Sequence, residues 1–352
     1  MSYEQLKNLT EELFVGLDIH KAFTVAHILN QFGQKVMVKM IRGHWSNIFL
    51  FLDSLPATLH VCYEANNGYG YLYDNIAKRA KSVQVAHPGQ CRLIFRSKKK
   101  TDRIDAEKLA KLLYLNEVPS IHVPEIKVRD WRRLITFRQT LVTEVTRVKN
   151  RIRGLLRRYG IKAITGLWSK KGLAWLESLT FETPTVKVEL IILLDNLERQ
   201  KVHLKEVEVQ LQKIADHHPG VSLLMTIPGI GIRTAEAVVA WIDQPARFSR
   251  NNQIGPYFGF IPSEDSSGGV TRMGRITRQG PAIIRKLLCE AAWRCIRLSP
   301  EIRAFFEKVQ RNDKDRKKIA VVATGHYLAR VMLAMLKQNK PWQPKQVIAK
   351  AA

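Results

Sequence analysis

Cysteine is scarce in this chain of 352 residues, and its four copies, Cys62, Cys91, Cys289 and Cys295, include no C-x-x-C pair. Neither a zinc site nor a disulfide framework is indicated, and the apolar neighbours of these residues predict buried free thiols. Acidic residues are also few: 31 Asp and Glu stand against 57 Lys and Arg, for a formal net charge of +26. Such an excess predicts a polyanionic partner, because neutralising phosphates releases their counterions. Long hydrophobic runs are missing as well. No apolar stretch is expected to reach the ~18 residues of a membrane-spanning helix, and Met1-Ser2-Tyr3-Glu4 has neither the basic nor the apolar region of a signal peptide. Nucleic acid rather than membrane is therefore the expected partner, and the cytoplasm the expected location. With 45% apolar residues the chain can build cores for two or three domains, which excludes a disordered basic tail.

In so basic a chain the positions of the acids carry information. Asp18 closes the apolar run Leu13-Phe14-Val15-Gly16-Leu17, and two further β-rich runs, Phe23 to Leu29 and Lys35 to Ile41, follow across a turn at Asn30-Gln31-Phe32-Gly33. Glu64 ends a second buried-strand pattern, Leu59-His60-Val61-Cys62-Tyr63, and Ser82 to Ala86 supplies another. Thr101-Asp102-Arg103-Ile104-Asp105 then opens an amphipathic helix on which Asp102 and Asp105, three apart, share a face. The resulting β-β-β-α-β-α rhythm delivers acids to one edge of a sheet. Oxygen ligands of this kind suit Mg²⁺, and paired ions can clamp the attacking and leaving oxygens of a scissile phosphate. The plainer alternative makes Asp18 and Glu64 solvated strand ends and Asp102 a helix N-cap, with Asp105 favouring the helix start.

Two long helices are predicted next. From Val128 to Tyr159 an apolar stripe, Leu134, Leu141, Val145, Val148, Ile152 and Leu155, runs along a helix whose other faces are basic. Eleven Lys or Arg between Lys127 and Arg158 face only Asp130 and Glu144, and Arg147, Lys149, Arg151, Arg153, Arg157 and Arg158 form a candidate phosphate-contacting cluster. The run Lys98-Lys99-Lys100, ahead of the acidic helix, is another. From Val186 to Ala215 a heptad-like seam, Leu190, Leu193, Leu197, Leu204, Val207, Leu211 and Ile214, suits either an antiparallel hairpin within the chain or a coiled coil between protomers.

In the last third, Ile227-Pro228-Gly229-Ile230-Gly231 before an apolar helix is like a helix-hairpin-helix, whose turn at Gly229 and Gly231 can hold a phosphate on backbone N–H groups. The stretch from Pro262 to Gly280 combines Ser266, Ser267, four glycines and the arginines Arg272, Arg275 and Arg278. It reads as a flexible phosphate-facing loop in which a serine is a candidate nucleophile, a solvated linker being the alternative. Helices are expected from Pro281 to Leu298 and from Lys317 to Lys337.

Taken in order, Gly16-Leu17-Asp18-Ile19-His20-Lys21, Tyr63-Glu64-Ala65, Lys100-Thr101-Asp102-Arg103-Ile104-Asp105-Ala106, Ile227-Pro228-Gly229-Ile230-Gly231 and the Ser267-Gly268 loop with its basic run resemble the DEDD transposases of the bacterial IS-one-ten and IS-eleven-eleven insertion sequences. The resemblance spans almost the whole chain. It implies an α/β RNase H-like (RuvC-like) N-terminal domain over residues 1–125, a basic helical, coiled-coil region over 126–222 and a mainly α C-terminal transposase domain over 223–352. It also implies that Asp18, Glu64, Asp102 and Asp105 form the metal-binding tetrad for Mg²⁺. Ser267, five residues beyond Pro262 and before a glycine, is implied as the nucleophile that forms a phosphoserine link to DNA, with Ser266 as its neighbour. Implied partners are donor and target DNA, a structured noncoding guide RNA and further copies of the chain in a dimer or tetramer, acting at the bacterial nucleoid. A RuvC-like junction nuclease using metal-activated water and a catalytically silent nucleic-acid-binding regulator are the competing readings.

Overall fold

The computed structural model describes residues 11–94, 101–267 and 270–344 and divides the chain into two compact units, before and after residues 126/127. In the first unit the apolar runs become β1 (Glu12–Ile19), β2 (Phe23–Asn30) and β3 (Lys35–Arg42), an antiparallel meander. Crossovers through α1 (Ser46–Asp53) and α2 (Tyr69–Ile76) add β4 (Thr58–Glu64) and β5 (Ser82–Ala86) parallel to β1. The strand order is β3-β2-β1-β4-β5. This five-stranded mixed sheet is compatible with an RNase H-like domain.

Strand alternation assigns the two faces of the sheet. Leu13, Val15, Leu17, Val61, Tyr63 and Val85 bury one face under Ile48, Phe49 and Leu52 of α1 and Leu72 and Ile76 of α2. On the other face Phe14, Cys62 and Ala86 pack against Cys91 of α3 (Pro88–Ile94) and against Leu109 and Leu113 of α4 (Asp102–Tyr114). Gly16 and Asp18 share that second face. A Cβ built on Gly16 would sit 2.3 Å from the Ala106 carbonyl oxygen and 2.4 Å from the Ala110 nitrogen, so α4 lies directly on the β1 backbone. Only a residue without a side chain permits this approach.

In the second unit α5 (Ile126–Arg158) and α7 (Pro184–Asp216) run antiparallel, with Arg138 donating to Glu208 at 2.8 Å and Arg158 lying 3.6 Å from Glu189. Beyond the expected pair, α6 (Lys170–Ser178) closes their far end, where Ile152, Leu155, Leu176, Leu190 and Leu197 form a small core. Within the chain the heptad seam thus serves a hairpin through Leu190, Leu193, Leu197 and Leu211, while Ile214 is exposed. A larger core gathers α8 (Pro219–Met225), α9 (Ile232–Ile242), α10 (Ile254–Phe258), α11 (Ala282–Leu298), α12 (Pro300–Gln310) and α13 (Lys317–Gln338).

Two expectations are corrected here. The segment after Pro262 is not a flexible loop. It forms an antiparallel ribbon of β6 (Pro262–Ser267) and β7 (Val270–Ile276), with Ser267 paired to Val270 across the Gly268-Gly269 step of the sequence. A two-residue glycine step between strand-compatible runs is a hairpin signal rather than a linker signal. And among the described residues one stretch is apolar enough to cross a membrane by length and composition: α13, with a mean hydropathy of 1.6 over its best window, half of it buried. Its apolar residues, among them Ala320, Leu328, Met332 and Leu333, pack in the core of the second unit.

Inside that unit Glu236 of α9 is buried, 1% exposed, with Arg233 Nη1 donating to both carboxylate oxygens at 2.9 and 3.1 Å and Nη2 donating to Gln212 of α7 at 2.7 Å. Burial outweighs the arginine and pushes the Glu236 carboxyl up from 4.5 to about 7. Its proton is held more tightly in the folded state, so the stability it contributes is complete below the unfolded carboxylate pKa and is lost as pH rises through about 7.

Two outcomes follow from this packing. Gly16→Ala must lift α4 from the sheet and is expected to lower unfolding free energy by about 1–3 kcal/mol or more, read by urea denaturation. Wild type should lose up to ~3 kcal/mol relative to Glu236→Gln between pH 4.5 and 8, in the same assay; parallel pH curves for the two proteins would refute the assignment.

Candidate active site

The carboxyl ends of β1 and β4 lie side by side, because the parallel register pairs Leu17 with Tyr63 and the next residues are Asp18 and Glu64. In-register neighbours on parallel strands share a face about 5 Å apart, and here it is the face that α4 covers. The close contact at Gly16 sets the first turn of α4 over the same edge. Thr101 caps that helix, its hydroxyl accepting from the Ile104 N–H at 3.4 Å, so Asp102 is the first helical residue and not the cap. The capping role that would have consumed the Asp102 carboxylate is filled by its neighbour.

His20 joins these elements. Its Nε2 lies 3.1 Å from Asp18 Oδ2 and 3.4 Å from Asp102 Oδ1. The ring is held by stacking on Phe23 with centroids 4.8 Å apart, and by a tight turn in which the His20 N–H donates to the Phe23 carbonyl at 2.9 Å. Burial pushes the Asp18 carboxyl up from its ordinary value; His20 lowers it, and the nearby charges of Asp102 and Asp105 raise it again. Asp105 also lies 3.8 Å from Lys108 Nζ. Burial, and then the charge of Glu64, exposed at the end of β4, push the Cys91 thiol up to about 11. All four cysteines are free thiols, with Cys62, Cys91 and Cys295 buried as expected and Cys289 only half-buried.

The structure thus brings Asp18, His20 and Asp102 into one cluster, sets Asp105 within its field and leaves Glu64 one strand away at the same level. Ligand atoms of Asp18, His20 and Asp102 all lie within 4.8 Å of one another. The 3.1 and 3.4 Å spacings are imidazole–carboxylate contacts, and the two carboxylates that His20 gathers offer the oxygen donors that suit a hard divalent cation. His20 was present in the motif read from the sequence but had no role there. Its contribution arises from the β1–β2 turn and from Phe23, which spacing along the chain does not reveal.

The candidate nucleic-acid contacts divide by environment. Lys149, half-buried, and Arg153, exposed, lie 5.2 and 5.3 Å from the Trp168 ring, which holds both side chains. Arg147, Arg151 and Arg157 are exposed and have no carboxylate partner among the described residues. Arg147 and Arg151, with Thr143, Thr146 and Asn150, line a shallow polar groove on α5. Lys98, Lys99 and Lys100 lie outside the described residues. Gly229 takes φ +96° in the turn between α8 and α9, and a Cβ there would meet the Cys295 nitrogen of α11 at 2.8 Å. Gly231 begins α9 with no side-chain cap and open space around it.

Ser267 is the last residue of β6. The Ser266 hydroxyl donates to Glu264 at 2.7 Å. Arg272 and Arg275 of β7 and Arg278 beyond it are exposed, and the ribbon is anchored at its root by Arg285 of α11, which donates to the carbonyls of Phe258, Gln279 and Gly280. Gly259 and Gly280, both at positive φ, let the two strands of that root touch backbone to backbone.

Comparison with known proteins gives consistent matches. Residues 15–161 match the family model for DEDD transposases of IS110 type, and residues 221–307 match that of the transposase IS116/IS110/IS902 family. The chain is 25% identical to the transposase for insertion sequence element IS1111A of Coxiella burnetii, over 81% of this chain and 78% of that protein. It is also 25% identical to the IS1328 transposase of Yersinia enterocolitica, over 79% and 82%. An IS110 43.6 kDa protein of Streptomyces coelicolor is 22% identical over 93% and 94%.

A divalent cation at this cluster should stabilise the fold. Mg²⁺ at about a hundredfold its Kd is expected to add ~3 kcal/mol to wild-type stability. Asp18→Asn should lose that response while becoming more stable without metal, since a half-buried charge beside two others is removed. Thermal unfolding with Mg²⁺ or EDTA reads both effects, and equal Mg²⁺ responses in the two proteins would rule out Asp18 as a ligand.

Proposed function

The chain belongs to the IS110-type DEDD transposases and is a DNA transposase, and on that footing we propose that it is a metal-assisted serine recombinase guided by a structured RNA. The observation that carries the reading is the meeting of Asp18, His20 and Asp102 at the carboxyl edge of the sheet, with Asp105 and Glu64 beside them. Residues 1–125 act as a RuvC-like metal domain, 126–222 as a basic helical region and 223–352 as the domain that bears the nucleophile.

Asp18, Glu64, Asp102 and Asp105 would hold Mg²⁺, which when bound supplies Lewis-acid polarisation of the scissile phosphate. His20 is a positioning residue. Its imidazole, a poorer ligand for Mg²⁺ than carboxylate oxygen, orients Asp18 and Asp102 from outside the ion's shell. The Ser267 oxygen bonds to phosphorus as one bridging P–O bond breaks, leaving a phosphoserine and a free DNA hydroxyl, and reversal on a second strand completes the exchange. Ser266, whose hydroxyl is committed to Glu264, is disfavoured for this role. Arg272, Arg275 and Arg278 flank the serine as phosphate ligands, and the exposed arginines of α5 and the turn at Gly229 and Gly231 hold the nucleic-acid backbone.

The acids and the serine belong to different units of the chain, which suits a site shared between copies. An exposed apolar stripe on α7, Val188, Ile191, Ile192, Val202 and Val209, supports self-association through a coiled coil. Base reading is assigned to RNA because the sequence contains no zinc finger or clear recognition helix.

One experiment tests this reading. The protein, purified from cells carrying the DNA that flanks its gene, should bring down a single structured RNA. With that RNA, Mg²⁺ and complementary DNA it should form a detergent-resistant protein–DNA adduct. Ser267→Ala should abolish the adduct and Ser266→Ala should retain it. Cleavage without any adduct would favour a junction nuclease, and the opposite behaviour of the two variants would move the nucleophile to Ser266.

A further inference from the structure

Away from the acids and the serine ribbon, the second unit has an open cavity of about 550 Å³ between α11, α12 and the start of α13, lined by Trp293, Ile296, Arg297, Phe306, Gln310 and Lys317. Its size falls among small-ligand sites, which span roughly 300–1,000 Å³. Phe306 and Ile296 belong to the core, but Trp293 leaves 41% of its surface in solvent. The indole packs against the Phe306 ring, with centroids 6.1 Å apart, and its uncovered part lines the cavity.

The polar groups around it narrow the choice of ligand. Lys317 Nζ lies 5.4 Å from the Trp293 ring centroid. Trp293 and Arg297 are four apart on α11 and so share a face. Neither Arg297 nor Lys317 has a carboxylate partner among the described residues, and no carboxylate lines the cavity. Lys317 is also the first residue of α13, where a 22-residue helix adds partial positive charge. A cationic ligand is therefore excluded, and a purely apolar one would leave two cations beside it unused. A flat π-face, an amide at Gln310 and two cations match a nucleobase together with its phosphate.

We propose that the Trp293 cavity receives one unstacked base, with its adjoining phosphate, from a single-stranded stretch of the bound nucleic acid. Trp293 stacks on the base, Gln310 hydrogen-bonds its edge, and Arg297 and Lys317 take the phosphate. The inference rests on the nucleic-acid reading of the second unit and adds to it a specific subsite for unpaired sequence.

The test uses the full chain with matched single-stranded DNA, single-stranded RNA and duplex DNA oligonucleotides in a salt titration. Trp293→Ala should weaken single-strand binding roughly tenfold, Trp293→Phe should restore most of it, and duplex binding should change little. Arg297→Gln should reduce the salt dependence by about one phosphate contact. Whichever single strand, DNA or RNA, suffers the larger loss identifies the occupant. Unfolding midpoints of the variants, with Trp293→Phe keeping a ring against Phe306, separate lost binding from lost folding. If the wild type binds and Trp293→Ala binds single strands equally well, the cavity is not a base site, although the nucleic-acid reading stands. If the wild type binds none of the probes in a salt-dependent way, that reading fails and the subsite with it.

Discussion

The contact on which the first unit depends is that of α4 with the bare backbone of β1 at Gly16. A side chain there would collide with Ala106 and Ala110, so the helix axis is fixed by backbone rather than by adjustable side chains. That contact carries the first turn of α4 to the end of β1 and brings Asp102 within reach of His20, itself 3.1 Å from Asp18. The grouping opposes folding, because Asp18 is partly desolvated beside two further carboxylates. It is offset by the helix dipole, which favours negative charge at the start of α4, and by the apolar packing of Leu109 and Leu113 beneath it. The Thr101 cap leaves Asp102 available for other contacts.

The second unit solves its positioning problem by the same physical means. Gly229 admits the backbone of α11, and Gly259 and Gly280 bring the two ends of the β6–β7 ribbon into backbone contact. Arg285 then gathers three carbonyls at that root. A two-stranded ribbon is marginal alone, so its orientation comes from this anchored base. The serine that the proposed chemistry uses is thus carried on a short polar ribbon whose root is held by the core, while the arginines around it remain exposed.

Much of this was legible in the sequence where the signal is local. The strands follow from β-branched and aromatic runs, and the acids at their ends were visible as interruptions of apolar sequence. The face shared by Asp102 and Asp105 follows from helical spacing. His20 was not legible, since its role needs the turn that stacks it on Phe23. The ribbon was missed because Gly268-Gly269 was read for its freedom rather than for the hairpin that two residues between strands allow. The basic cluster of α5 could not be divided from its own sequence, because Trp168, which takes Lys149 and Arg153, lies in the segment after the helix. α13 escaped notice as an apolar span because His326 and Arg330 interrupt its apolar run, although its mean hydropathy reaches 1.6.

The distribution of charge has a further consequence for the proposed reaction. Exposed arginines on α5 and on the ribbon attract phosphates wherever they lie, so binding draws on the long-range excess of +26. The acid cluster does the opposite, presenting several carboxylates where a phosphodiester must come close. Screening cannot resolve that conflict, because groups in contact are far inside the ~10 Å Debye length of ordinary salt. In the proposed reaction a divalent cation held among the acids would reverse the local sign. Attachment to nucleic acid and cleavage of it would then be separable by physics: the first would need only the arginines, whereas the second would need the acids neutralised.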